Sequence, residues 1–284
     1  MRVVAALLAT VALATAAVAA SFSVPSFTLT GGCWLSAPTY STFTTKVFDD
    51  CLTSFNSASW VEYMTDGWQG RWDANGELPS PYSASFGSPN YEAEYFSPSQ
   101  DAFGTSGMVI TEVPSSQFAN FSIKSGVLTS VWKMPSNGGL IQISAKLPSM
   151  SAGAWPAFWW PPSASGGQEI DWFEGGFTSG SIPANHSWSI TNNAGQQIIF
   201  DAGVDLTAAF HTYGFEYKPG VSLKVFLDGV LKESITTNVP TATDYVLVLA
   251  NQFGNANSCA WRTCIGSPTP NGLQLKIAEV QVYH

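Results

Sequence analysis

Glu169-Ile170-Asp171-Trp172-Phe173-Glu174 places three carboxylates within six residues of a chain that is otherwise poor in charge. Alternate side chains of a β-strand share a face, so Glu169 and Asp171 point the same way. Glu174 stands an odd number of positions from both, and on a regular strand it faces the opposite side. One extra residue, a β-bulge at Trp172-Phe173, returns it to the acidic face. The expectation is three acids in a row on one face, with Ile170 and one of Trp172 or Phe173 buried behind. The plain alternative is a solvated acidic strand face. Such faces usually intersperse Lys or Ser, whereas the flanks here are Gly166-Gly167 and Gly175-Gly176.

The surroundings of this stretch also read as strands. Residues 108–113, 127–134 and 154–160 precede it. In 140–147, Ile141, Ile143, Ala145 and Leu147 alternate with Gln142, Ser144 and Lys146, the pattern of a half-buried strand. Residues 186–191, 197–201, 211–218, 245–250 and 273–283 follow. Segments 222–227 and 230–235 flank Asp228-Gly229, a type I′ hairpin signal. Helix is scarce: a short one over 43–55 and a turn over 205–210 opened by an Asp205 cap. Residues 21–106 are the least regular part, and 82–90 reads as loop. Many short strands with turn signals between them make an all-β sandwich or barrel. No repeat or linker divides residues 21–284, which read as one domain.

The 284 residues are 45% apolar, 13% aromatic and 11% charged, enough for one domain with a sizeable core. The formal net charge of −9 argues against nucleic acid as a partner, since that needs a basic footprint. Residues 1–20 read as a secretory signal, with Arg2, an apolar run and Ala17-Val18-Ala19 before the cut. No long apolar segment follows, so a soluble extracellular protein is expected, with no membrane partner. Cys33, Cys51, Cys259 and Cys264 imply two disulfides in such a chain. Of three pairings, Cys33 with Cys51 and Cys259 with Cys264 is favoured, because each closes a loop bounded by turn residues. Zinc is not expected, as there is no Cys-x-x-Cys pair and no His near either cluster. Asn120 and Asn185 open sequons for N-glycosylation.

Two carboxylates about 5–5.5 Å apart serve a retaining glycosidase, and neighbouring positions on one strand face can deliver that spacing. Three crowded acids resist full ionisation, so one proton stays bound near neutral pH. With these residues in place the chain resembles glycoside hydrolase family 16, which includes laminarinases and endo-β-1,3(4)-glucanases. The family motif Glu-x-Asp-x-(x)-Glu is similar to 169–174 in its longer, bulged form. Asn90-Tyr-Glu-Ala-Glu-Tyr-Phe96 resembles the family's substrate loop. Lys146-Leu-Pro148 with Gly153-Ala-Trp155-Pro-Ala-Phe-Trp159 resembles the strand before the motif. Phe210-His211-Thr-Tyr-Gly-Phe-Glu216 and Phe226-Leu-Asp-Gly229 resemble the segments after it. The resemblance covers roughly 90–284 and is thin over 21–89.

The resemblance implies a concanavalin A-like β-jelly roll, a sandwich of two curved antiparallel sheets with a concave substrate cleft. It implies a monomeric endo-enzyme that cleaves β-1,3- or mixed β-1,3-1,4-glucan through a glycosyl-enzyme and requires no cofactor. Glu169 takes the nucleophile's place, Glu174 the acid/base's, and Asp171 tunes the nucleophile. Trp155 and Trp159 are candidate sugar platforms. Asn90, Glu94, His186 and Gln252 are candidate hydroxyl contacts, and Arg71 and Lys133 weaker ones. Each has a bland alternative: core packing for the tryptophans, a structural histidine, or a turn residue for Gln252. His211 reads as structural. The family often holds a calcium ion, but no ligand run for one stands out. Three rival readings remain: a β-glucan transglycosylase, an agarase-like galactan hydrolase, and a glucan-binding lectin without catalysis.

Overall fold

The computed structural model describes residues 33, 35–63, 92–118, 121–161, 168–192, 196–260 and 262–284. The signal segment 1–20, Arg71, Asn90 and Asn120 lie outside them. The strands in chain order begin with β1 (Lys46–Asp50), β2 (Trp60–Val61), β3 (Glu94–Phe96), β4 (Asp101–Gly104), β5 (Gly107–Thr111) and β6 (Val113–Phe118). Then come β7 (Phe121–Ser125), β8 (Val127–Ser130), β9 (Gly139–Lys146), β10 (Ala154–Trp160), β11 (Ile170–Glu174) and β12 (Ser187–Asn192). The last are β13 (Gln196–Asp201), β14 (His211–Lys218), β15 (Ser222–Leu227), β16 (Val230–Ile235), β17 (Val248–Phe253) and β18 (Gln274–Tyr283).

They build the expected jelly-roll sandwich. One antiparallel sheet runs β16-β15-β14-β9-β18-β5-β4, with β1 also on β18. The other runs β13-β12-β11-β10-β17-β8-β2. The alternation read from sequence is what joins them. Ile141, Ile143, Tyr213, Phe215, Tyr217, Val225, Val280 and Val282 of the first sheet meet Leu128, Phe158, Trp160, Ile170, Trp172, Phe173, Trp188 and Leu249 of the second in one buried cluster. Aromatic rings dominate the contact: Trp172 stacks on Phe215 at 5.6 Å and Trp160 on Tyr245 at 4.9 Å. The β15–β16 turn is Asp228-Gly229, with φ of 51° and 79°, as a type I′ hairpin requires. Turn residues also shape 205–210, where Asp205 accepts from the Thr207 N–H at 2.8 Å, although this is a turn and not a helix.

Two expectations need correction. Residues 43–55 form no helix; they hold β1 and turns, because Phe48–Asp50 pair with β18. The strand 140–147 is not half-buried: Gln142 and Ser144 are 2% and 6% exposed. The segment 35–50 lies over them and over Glu216, Glu279 and Gln281. Glu279 accepts from the Leu35 N–H at 2.8 Å, Gln142 donates to the Ser36 carbonyl at 3.3 Å, and the Ser41 hydroxyl donates to Glu216 at 2.6 Å. The alternation was real, but its polar half answers to another piece of chain and not to water. Cys33–Cys51 closes this arm with Cα atoms 5.3 Å apart, and Cys259–Cys264 closes a second loop at 5.1 Å, the pairing expected.

A small sheet, β3-β7-β6, has β3 parallel to β7. It brings Phe96 onto the outer face of the seven-stranded sheet, where Phe96 packs with Val127, Ala157, Trp159, Val248 and Ala250.

Candidate active site

Strand β11 contains the bulge. Ile170 and Asp171 oppose Asn192 and Thr191 of β12, but Glu174 opposes Ser189, so three residues on β11 span two on β12. On the other side, Asp171 pairs with Trp159, Phe173 with Phe158 and Glu174 with Ala157. Both Trp172 and Phe173 are 0% exposed in the core, where one was expected. The bulge doubles the aromatic side of the strand and leaves Asp171 and Glu174 together on the outer face. Glu169 immediately precedes the strand and is half-buried.

The outer face of β10 presents Trp155, Ala157 and Trp159, alternating with Phe158 and Trp160 in the core. The Trp155 indole N–H donates to Glu174 Oε1 at 2.9 Å. Arg262 Nη2 donates to the same oxygen at 3.3 Å. The Arg262 guanidinium lies 3.0 Å from the Trp155 ring centre and 4.3 Å from that of Phe177, a cation held between two aromatic faces. Burial pushes the Glu174 carboxyl up from the ordinary carboxylate range, against the pull of Arg262 and Trp155. Asp171 is held well above that range, first by burial, then by the fields of Glu174 and Glu169. Burial in turn pulls Arg262 down to about 10, still a cation at neutral pH. The cluster therefore has a higher affinity for protons than a solvated cluster of carboxylates.

The other candidates fall in different places. Trp155 is at the site, but its ring face is taken by Arg262 and its N–H by Glu174, so it is a partner of the carboxylate and not an open sugar platform. Trp159 is on the same face, packed under Phe96 and 7% exposed. Gln252 lies in β17 opposite Trp155, so it belongs to the strand and faces the site, not to a turn. Glu94 is 3% exposed and its carboxylate accepts from the Phe253 N–H at 2.8 Å, which makes it a bracket for β17. His186 ends a short 3-10 turn (Ala184–His186) just before β12, and its Nδ1 lies 3.3 Å from Asp201 at the end of β13. His211 ties the Asp228 turn to β14 at 2.8 Å, a structural place. Both ends of the Asn185 side-chain amide are engaged: Oδ1 accepts from the Met150 N–H, and Nδ2 donates to Thr207. Cys33, Asp49 and Glu279 approach within 4.8 Å, but Cys33 is in a disulfide and Glu279 is hydrogen-bonded through both oxygens, so they form no calcium ligand set.

Arg262 was missed. It is 88 residues from Glu174 in sequence. The available signal was a lone Arg inside a loop bracketed by Cys259 and Cys264, in a chain with only 11 Lys and Arg.

The comparisons with known proteins agree with this geometry. Residues 103–264 match the family model of glycosyl hydrolases family 16. A β-glucanase of Paenibacillus polymyxa is 31% identical over 111 residues, which are 39% of this chain and 46% of that protein. One of Bacillus amyloliquefaciens is 41% identical over 59 residues, 20% of this chain and 24% of that protein. The chain thus spans half or less of the length of these relatives in sequence. In fold it resembles an endo-1,3-β-glucanase of Streptomyces sioyaensis, with a TM-score of 0.63, 20% identity and coverage of 87% of this chain and 98% of that one. It also resembles the Bacillus licheniformis β-glucanase, with a TM-score of 0.62, 18% identity and coverage of 84% and 98%. A family model covering more than half of the chain, an all-β sandwich of the same build and the bulged acidic strand on its outer face lead to one assignment: this chain belongs to family 16 of the glycosyl hydrolases.

Proposed function

We propose that the protein is a secreted, retaining endo-β-glucanase that hydrolyses β-1,3- or mixed β-1,3-1,4-glucan. The observation that carries this is the β11 bulge, which gathers the acids on one outer face with a proton held among them. Glu169, half-buried, attacks the anomeric carbon while Glu174 gives its proton to the departing glycosidic oxygen. The sugar is then esterified to Glu169. Glu174, now a carboxylate, takes a proton from water as that water attacks the same carbon, and the configuration is retained. Asp171 lies between the two and holds the nucleophile in place by hydrogen bonding. Burial suits Glu174 to the acid role, since it favours the protonated form. The relatives' names support β-glucan as the substrate class, and two disulfides support an oxidising, extracellular setting. The chain works as a monomer on this reading, without a cofactor.

The test is incubation with laminarin, lichenan, agarose and xyloglucan, followed by early-time proton NMR and product sizing. Oligosaccharides released from laminarin or lichenan as β-anomers are the expected result. Initial α-anomers would remove the mechanism. Cleavage of agarose alone would remove the substrate class.

A further inference from the structure

Two carboxylates and a water suffice for retaining hydrolysis, and a cation is not among its requirements. Yet Arg262 is 2% exposed and donates to Glu174 at 3.3 Å. A buried guanidinium costs several kcal/mol in lost hydration unless it is paired, so filling this space alone is better done by Leu or Met. The chain that carries Arg262 is built to hold it. Cys259–Cys264 closes the loop on either side. Arg262 and Phe177 form an antiparallel bridge just beyond β11, and the Thr263 N–H donates to the Gly176 carbonyl at 2.7 Å. The Ile265 N–H donates to Gly254 at 2.8 Å, and the Gly254 N–H to Gly153 at 3.0 Å. The fit leaves no room for side chains: a Cβ on Gly176, whose φ is 78°, would lie 2.8 Å from Thr263 Oγ1, and one on Gly153 2.5 Å from the Cys264 carbonyl carbon. The loop is thereby seated on the ends of β10 and β11.

We propose that Arg262 is a positioning residue for proton transfer: the disulfide-closed loop clamps Glu174 against Trp155 and sets a fixed positive charge beside the carboxylate left once the proton has gone. This rests on the reading of Glu174 as the acid/base. In the first half of the reaction the Glu174 O–H bond breaks, its proton goes to the glycosidic oxygen as the bond from that oxygen to the anomeric carbon breaks, and the Glu169 ester forms. Glu174 is then an anion for the life of the ester, with Arg262 as its partner, until it takes a proton from water. The groups that face Glu174 are Asp171 from its own strand, Trp155 from β10, Thr191 from β12 and Arg262; Glu169, just before the strand, acts on Asp171, and Arg262 also feels Glu92. Arg262 is the cation among them.

The test uses the whole protein labelled with carboxyl-¹³C glutamate, with the Glu174 signal identified by its loss in Glu174→Gln. Its titration midpoint is compared in wild type, Arg262→Lys, Arg262→Met and Cys259→Ser/Cys264→Ser, with circular dichroism to verify folding. The midpoint should rise in Arg262→Met and in the double serine variant, and return toward wild type in Arg262→Lys. On glucan, kcat should fall about 100-fold in Arg262→Met, with the basic limb of its pH profile moved up. An aryl glucoside with a dinitrophenolate leaving group, which needs no protonation, should lose far less. An unmoved midpoint in folded Arg262→Met overturns the proposal. A midpoint that rises while Glu174→Gln keeps the wild-type kcat leaves the Arg262 contact standing and removes the catalytic reading of Glu174.

Discussion

Strands β11 and β18 each carry one extra residue, and the two bulges do opposite things. In β11 the surplus goes inward: Trp172 and Phe173 both enter the core, and Asp171 and Glu174 stay together outside. In β18 the register shifts between Ile277 and Glu279; Ile277 and Val280 both face the core, and the surplus goes outward. Both bulges thus set carboxylates on an outer face. Around β18 those acids are completed. Glu279 accepts from the Leu35 N–H at 2.8 Å and from Gln281 at 2.6 Å, and Glu216 is met by Ser41 and Lys224. Around β11 acid crowds acid, with Arg262 as the cation at Glu174. A buried carboxylate that is fully bonded fastens one piece of chain to another. A cluster that crowds its own charges stores a proton that can be given away.

The largest effect that separates the two regions is on rate. Glu169→Ala should lower kcat on glucan about 10⁴-fold, and azide should restore turnover of an activated aryl glucoside as the glycosyl azide. Glu279→Ala should leave kcat within about twofold. Failure of azide to restore any turnover would count against Glu169 as nucleophile. Next in size is the bulge itself. Deleting Phe173 restores regular alternation with Glu174 two positions from Asp171, so both acids stay on the outer face and the core loses one of its two β11 rings. The lost ring should cost about 3–5 kcal/mol, seen as a lower urea midpoint with glucan cleavage retained. A folded variant that lost its activity would show that the parity argument is wrong.

A smaller effect belongs to the outer cluster. Glu279→Leu leaves the Leu35 N–H without its acceptor and should cost about 1–3 kcal/mol in urea denaturation, with no change in the pH profile of activity. The smallest is a slope. Asp171 has its proton affinity raised by folding, above the ordinary value of 3.8. The native state therefore binds more protons than the unfolded chain, and stability falls as pH rises from about 4 through the raised folded value. Asp171→Asn removes this, so its Tm should gain on that of wild type as pH rises across that window. A difference that stayed flat with pH would mean that Asp171 is not held protonated.

The sequence showed those parts whose partners are local or follow a period. Strands β10, β14, β15 and β16 came out with the bounds expected, because alternation and the Asp228-Gly229 turn are written within a few residues. The bulge followed from parity. The arm at 35–50 was not legible, since it has no period of its own and pairs with Gln142, Glu216 and Gln281, polar residues that look solvated when read strand by strand. The site divides the same way. The acids were visible in one strand, while Arg262 reaches them through a loop whose only local mark is its pair of cysteines. Trp155 was found for its position, but its use by Glu174 depends on Arg262 and could not be read without it.

The small sheet that carries Phe96 makes the outer face of the seven-stranded sheet a boundary between two media. Ala157 is flanked on one side by Glu174 and on the other by Ala250, and Ala157 and Ala250 both belong to the apolar cluster under Phe96. Charge that develops on Glu174 therefore has hydrocarbon as its neighbour along β10 and β17. Among the described residues, it is answered by Arg262 and Trp155 and from the side of β11 and β12. The Glu174 carboxylate sits at a one-sided dielectric edge, with an apolar wall toward β10 and β17 set by the fold.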